Sequence, residues 1–124
     1  VPAVDVLDDT FVRADPDRVR AATRARWEDW LPDLALVVTE ERGVKGVRWA
    51  AGTARGADAG MAGTAEVWLE AVEPGTVVHL YVRLDPSGGP VAVRRARRLP
   101  DRVRRTWKRG LNRSKDVLEG EWQG

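Results

Sequence analysis

Two neighbouring segments of the chain alternate in polarity. Ala65, Val67, Leu69 and Ala71 interleave with Thr64, Glu66, Trp68 and Glu70, and Val78, Leu80, Val82 and Leu84 interleave with Val77, His79, Tyr81 and Arg83. A two-residue period sends one set of side chains to each side of a strand. Pro74-Gly75 between the segments predicts a hairpin, hence an antiparallel sheet with one buried face and one wet face. Such a sheet must bury its apolar side against another element. The cover comes downstream, after the break at Asp85-Pro86-Ser87-Gly88-Gly89-Pro90. There Ala92, Ala96, Leu99, Val103, Trp107, Leu111 and Leu118 recur at steps of three, four or seven, which is one stripe of a helix. The stripe keeps its phase across Pro100. The spacing predicts a single helix over about 91–119, kinked at Pro100 where the ring meets the carbonyl of Ala96. Gly120 falls in its C-cap region.

Upstream, Val4 to Arg13 is rich in β-branched and aromatic residues and reads as a first strand. Asp15-Pro16-Asp17 is a helix start, with an N-cap, a proline in the first turn and an acid near the positive end of the dipole. The helix is expected over about 16–26. Trp27, Trp30 and Leu31 form a second short helix or turn, which Pro32 ends. Leu34 to Thr39 and Val44 to Thr53 read as strands around a turn at Glu41-Arg42-Gly43. Gly52 to Gly63 is either a loop or a thin, bent strand pair, because glycine weakens strands and marks bulges. With 124 residues, the chain is expected to be one domain over 1–124.

Several chemistries are excluded by composition. The chain has no cysteine and one histidine, His79, which leaves no disulfide, no thiolate metal site and no material for a catalytic triad. No metal and no cofactor is expected. No run of about 18 apolar residues is long enough to cross a bilayer. Val1-Pro2-Ala3-Val4-Asp5 has neither the basic nor the apolar part of a signal peptide, so a cytoplasmic location is expected. The net charge of +2 conceals a segregation. Residues 94–115 carry eleven basic side chains and one acidic, a net of +10, while the rest of the chain carries ten basic and eighteen acidic, a net of −8.

The order of elements is strand, two short helices, consecutive antiparallel strands and a long terminal helix. It resembles the helix-grip proteins of the START-like (SRPBCC) superfamily, and within them the actinobacterial polyketide cyclase/dehydrase-like small proteins. The resemblance covers nearly the whole chain. It lies in the Asp15-Pro16 helix start after the first strand, in Trp27-Glu28-Asp29-Trp30-Leu31-Pro32-Asp33, in Gly63-Thr64-Ala65-Glu66-Val67-Trp68-Leu69 and in Pro74-Gly75-Thr76-Val77-Val78-His79-Leu80. It implies an α+β fold in which a curved antiparallel sheet wraps a long C-terminal helix around an apolar cavity. Members bind lipids, polyketides, hormones or aromatic compounds, and some cyclise or dehydrate a bound polyketide. The family usually has six strands between the short helices and the last helix. Four are counted here, so a shortened sheet and a shallower or open pocket are expected. The missing hairpin, with an exposed Trp68, also suggests a homodimer.

The residues expected to line a pocket are Trp49, Leu69, Leu80, Val82, Trp107 and Leu111. All are apolar, and their phases put them on facing surfaces of sheet and helix. The ligand would be an apolar small molecule, polyketide- or lipid-like, held by removal of its surface from water. The other tryptophans, Trp27, Trp30, Trp68 and Trp122, read as packing or rim residues. His79 and Tyr81 share the Arg83 face, opposite the better core face, and are expected at the surface. No carboxylate stands at a sequence spacing that pairs with His79, and no catalytic constellation stands out. A cyclase- or dehydratase-type enzyme is the second reading. The third is a module that binds nucleic acid or an acidic membrane through the basic helix. Its bland counterpart is a solvated face, or pairing with the acidic body.

Overall fold

The structure, a computed structural model, describes residues 4–53, 60–86 and 96–121. The readings made for Ser87 to Arg95, for Trp122 and for the middle of the glycine-rich stretch lie outside them. Five strands form one antiparallel sheet: β1 Val4–Val12, β2 Leu34–Glu41, β3 Gly46–Thr53, β4 Met61–Val72 and β5 Gly75–Pro86, in the order β1-β5-β4-β3-β2. Helix α1, Pro16–Thr23, and two 3₁₀ turns, Arg24–Arg26 and Glu28–Trp30, link β1 to β2, and helix α2, Leu99–Gly120, closes the described chain. This is the helix-grip arrangement. Among the described residues four strands separate the short helices from the last one, the shortened sheet that the sequence implies.

Local chemistry explains the boundaries. The Asp15 carboxylate accepts a hydrogen bond from the Arg18 amide at 3.0 Å, and Pro16 opens α1. Its missing N–H would have no helical partner there in any case. The Thr23 hydroxyl donates to the Val19 carbonyl at 2.7 Å and accepts from the Trp27 indole at 2.9 Å, fixing the angle at which the chain leaves the helix. Gly46 opens β3 at φ 128°, where a Cβ would lie 2.0 Å from the Val67 carbonyl oxygen. Only glycine permits that approach. The turn before it is longer than the sequence suggests. β2 runs to Glu41, and Val44 sits in a 3₁₀ turn over Gly43–Lys45 rather than in the strand.

The terminal helix differs from expectation at its start. It begins at Leu99 after a 3₁₀ turn over Ala96–Arg98, and Pro100 lies in its first turn rather than at a kink. A proline there sacrifices no hydrogen bond, so an unbroken stripe does not require an unbroken helix. From Leu99 onward the stripe behaves as read. Leu99, Val103, Trp107, Leu111 and Leu118 are buried, together with Gly110. At 22 residues the helix is about 33 Å long. It packs along β1, on α1 and on the Glu28–Trp30 turn. Its last turn is tied down where Glu119 accepts from the Arg13 amide at 2.9 Å and Glu121 pairs with Arg18 at 3.0 Å.

Candidate ligand-binding site

The registers align the inward side chains in rows across the sheet. Val6, Val82, Ala65, Trp49 and Val38 form one row, and Val4, Leu84, Gly63, Ala51 and Leu36 form the next. Small residues stand at the centre of both rows: Ala65 in the first, and in the second Gly63, where a Cβ would lie 1.9 Å from the Arg83 carbonyl oxygen of the neighbouring strand. Toward β1 the rows are sealed, with Val4 and Val6 fully buried. Toward β2 they open: Leu36 is half-buried and Val38 is 45% exposed. α2 packs chiefly along β1, so the β2 end of these rows, and of the trough they line, is the less covered one.

All six residues expected to line the pocket fall in one buried cluster: Trp49 on β3, Leu69 on β4, Leu80 and Val82 on β5, Trp107 and Leu111 on α2. Leu69, at 8%, is the most exposed of them. Trp49 and Val82 share a row, whereas Leu80 and Leu69 lie one and two rows on, beside Val67 and Val78.

The three fully buried tryptophans differ in one respect. The Trp27 indole N–H donates to Thr23, and that of Trp49 donates to Glu28 Oε2 at 3.1 Å. Trp107 Nε1 is buried and finds no hydrogen-bond partner among the described residues. Its ring meets that of Trp30 edge to face, with centroids 5.5 Å apart.

Around Trp49 the rim is polar and rigid. Arg24 donates to both oxygens of Glu28 at 2.9 and 3.0 Å and to Glu41 at 3.1 and 3.2 Å. Its guanidinium stands 5.3 Å from the Trp27 ring centroid and 5.9 Å from that of Trp49, close enough for cation–π attraction. This hub ties the short helices to β2 through Glu41 and to β3 through Trp49. Farther along β2, the hydrogen bond and positive charge of Arg42 hold the Glu40 carboxyl below its usual value, and Glu40 in turn raises Arg42.

One acidic side chain of β1 does point inward. Asp8 shares the phase of Val6 and Thr10, and its side chain is 10% exposed. It accepts from the Thr10 hydroxyl at 3.2 Å and pairs with Lys108 on α2 at 3.3 Å. Lys108 also donates to Thr10 Oγ1 at 2.5 Å. The ammonium is thereby committed to β1, a pairing of basic helix with acidic body.

His79 and Tyr81 lie on the outward face, as the alternation requires. The histidine is nevertheless paired with carboxylates, contrary to the reading from spacing. Nδ1 lies 2.6 Å from Asp9 and Nε2 lies 2.8 Å from Glu70, with Trp68 stacked on the ring at 4.4 Å. Asp9 is its direct cross-strand partner on β1, 70 positions away in sequence, so local spacing carried no sign of it. Trp68 is half-buried rather than exposed, because His79 covers one face. Both ring nitrogens thus face carboxylates of the two neighbouring strands.

No protein-family model matches the chain, and no curated protein matches it in sequence. Solved structures do match in fold. Protein MLL2253 from Mesorhizobium loti superposes with a TM-score of 0.66 at 13% identity, over 95% of this chain and 98% of that one. The Aha1 dimer from Colwellia psychrerythraea gives 0.55 at 19%, over 96% and 99%. The di-domain ARO/CYC StfQ from the steffimycin biosynthetic pathway gives 0.51 at 18%, over 95% of this chain and 51% of that one. The chain therefore has the START-like helix-grip fold. Among the described residues no helix is long and apolar enough to cross a membrane.

Proposed function

We propose that the chain binds or carries an apolar small molecule, polyketide- or lipid-like and bearing at least one hydrogen-bond acceptor, between the concave sheet face and α2. The observation that carries this reading is Trp107 Nε1, a buried donor with no acceptor among the described residues, set in the apolar cluster of sheet and helix. An unpaired buried N–H costs about 1–3 kcal/mol. The two other fully buried indoles avoid that cost. A carbonyl or hydroxyl oxygen on a ligand would relieve it, while the ligand's body left water at about 25 cal/mol per Å². The opening along β2, beside Trp49, is the entrance in this reading. That a fold neighbour is an ARO/CYC of a biosynthetic pathway is in keeping with it.

An enzymatic reading, cyclase or dehydratase, draws on the inward Asp8 alone. Its carboxylate is engaged by Lys108 and Thr10, so carriage is the reading we prefer.

Tryptophan emission titrated with a polycyclic aromatic ketone and with its parent hydrocarbon tests the proposal. Saturable quenching that changes little with salt is expected. The ketone should bind about three- to tenfold tighter, the worth of one neutral hydrogen bond. Trp107→Phe should erase that preference while binding persists. Recovery of altered ketone would favour the enzyme, and failure of every apolar probe to quench saturably would overturn both readings.

A further inference from the structure

A second recess lies outside the sheet–helix interior. The two 3₁₀ turns form one wall and a flank of α2 forms the other, enclosing about 270 Å³. Its existence follows from Gly110. A Cβ there would lie 2.2 Å from Trp30 Cδ1, so only glycine lets the Trp30 ring settle onto the helix. Trp30 is anchored behind by the edge-to-face contact with Trp107. The floor of the recess is thus part of the core and is preformed.

Its walls are cationic. Arg26 projects from the turns, Arg109 and Arg113 from the helix, with Asp29 the single acid and Ser114 beside them, a formal net of +2. Six arginines elsewhere, Arg18, Arg20, Arg24, Arg42, Arg48 and Arg102, each have a carboxylate within 3.6 Å. Arg83, Arg97, Arg98 and Arg105 have no ion pair among the described residues, but they do not line this recess. Among the described residues Arg26, Arg109 and Arg113 have no ion pair. Arg109 and Arg113 are four positions apart on one helix, a spacing at which like charges repel, and the turns bring a third guanidinium to the same place. Guanidinium forks match the oxygens of phosphate and carboxylate. The volume of about 270 Å³ falls just below the range of pockets for drug-sized ligands, which points to a smaller one.

We infer that this recess binds a small dianion, a phosphate monoester being the best fit to its charge and size. The site stands apart from the apolar trough, so either can fail without the other. It differs from a general affinity of the basic helix for polyanions, because it requires Arg26 from the turns and does not require Arg105 on the exposed side of α2.

The test is a calorimetric and NMR titration of the full chain with inorganic phosphate and phenyl phosphate up to about 10 mM. Each arm is repeated with Arg26→Gln, Arg113→Gln and, as a control, Arg105→Gln. Saturable binding is expected, weakened about tenfold or more by each recess variant, the loss typical of a charged hydrogen bond, and unchanged by the control. Because the recess variants come from two separate elements, one that misfolds leaves the other to decide. No saturation with either phosphate, or equal loss in the control, would overturn the inference. Parallel arms with anionic vesicles and duplex DNA separate the sources, and binding of those alone would overturn it in favour of an extended polyanion.

Discussion

The inward and outward sides of α2 obey different physics within one helix. Inward, Val103, Trp107 and Leu111 are fully buried and form part of the one core cluster. Outward, Arg105 and Arg109 are exposed, and their charge contributes little to folding because water screens it. A side chain's position around the helix axis, more than its place along the chain, decides whether it serves stability or recognition. Trp107→Ala removes a fully buried indole and should cost about 3–5 kcal/mol. Arg105→Ala, two residues earlier, should stay within about 0.5 kcal/mol. Urea unfolding of the two variants measures the contrast. Similar midpoints would mean that the inward stripe is not docked, and the trough would then have no roof.

Much of this contrast is legible in sequence and part of it is not. The alternation through Ala65–Ala71 and Val78–Leu84 fixes which face is buried, and the step pattern from Leu99 to Leu118 fixes the docked side of α2. These are local periodicities, and burial enforces them. Pro100 misleads because a proline in a first turn and a proline at a kink leave the same phase in the stripe. The partners of His79 are hidden for another reason. Asp9 and Glu70 reach it through strand register, which follows from how three strands pair and not from any spacing along one. The recess is hidden in the same way. Arg109 and Arg113 announce a basic flank, but Arg26 joins them only because Gly110 admits Trp30.

Gly110 lies on the border between the two sides and sharpens the comparison. In an exposed helix Gly→Ala stabilises by about 1 kcal/mol. Here the added methyl would meet the Trp30 ring, and overpacking of this kind costs about 1–3 kcal/mol. Gly110→Ala should therefore destabilise by up to about 2 kcal/mol, the difference of those terms, and should displace the floor of the recess. Thermal unfolding gives the sign. A stabilised variant would show that Trp30 moves aside freely, so the recess would not be preformed.

The smallest effect lies on the opposite border, toward β1. Lys108 is 37% exposed, and its ammonium pairs with Asp8, 10% exposed, while donating to Thr10. This cation belongs neither to the apolar side nor to the free arginines, because the acidic strand captures it. Partial burial of Asp8 raises the worth of the pair above that of an exposed one, yet one partner stays wet, so the coupling should be about 0.5–1 kcal/mol. A double-mutant cycle with Lys108→Met and Asp8→Asn isolates it. Coupling should fall in high salt less than for a more exposed pair such as Arg104 and Asp101, which lie 3.8 Å apart. Zero coupling at low salt would place Lys108 with the solvated arginines and move the boundary between the two sides of α2 inward to Trp107.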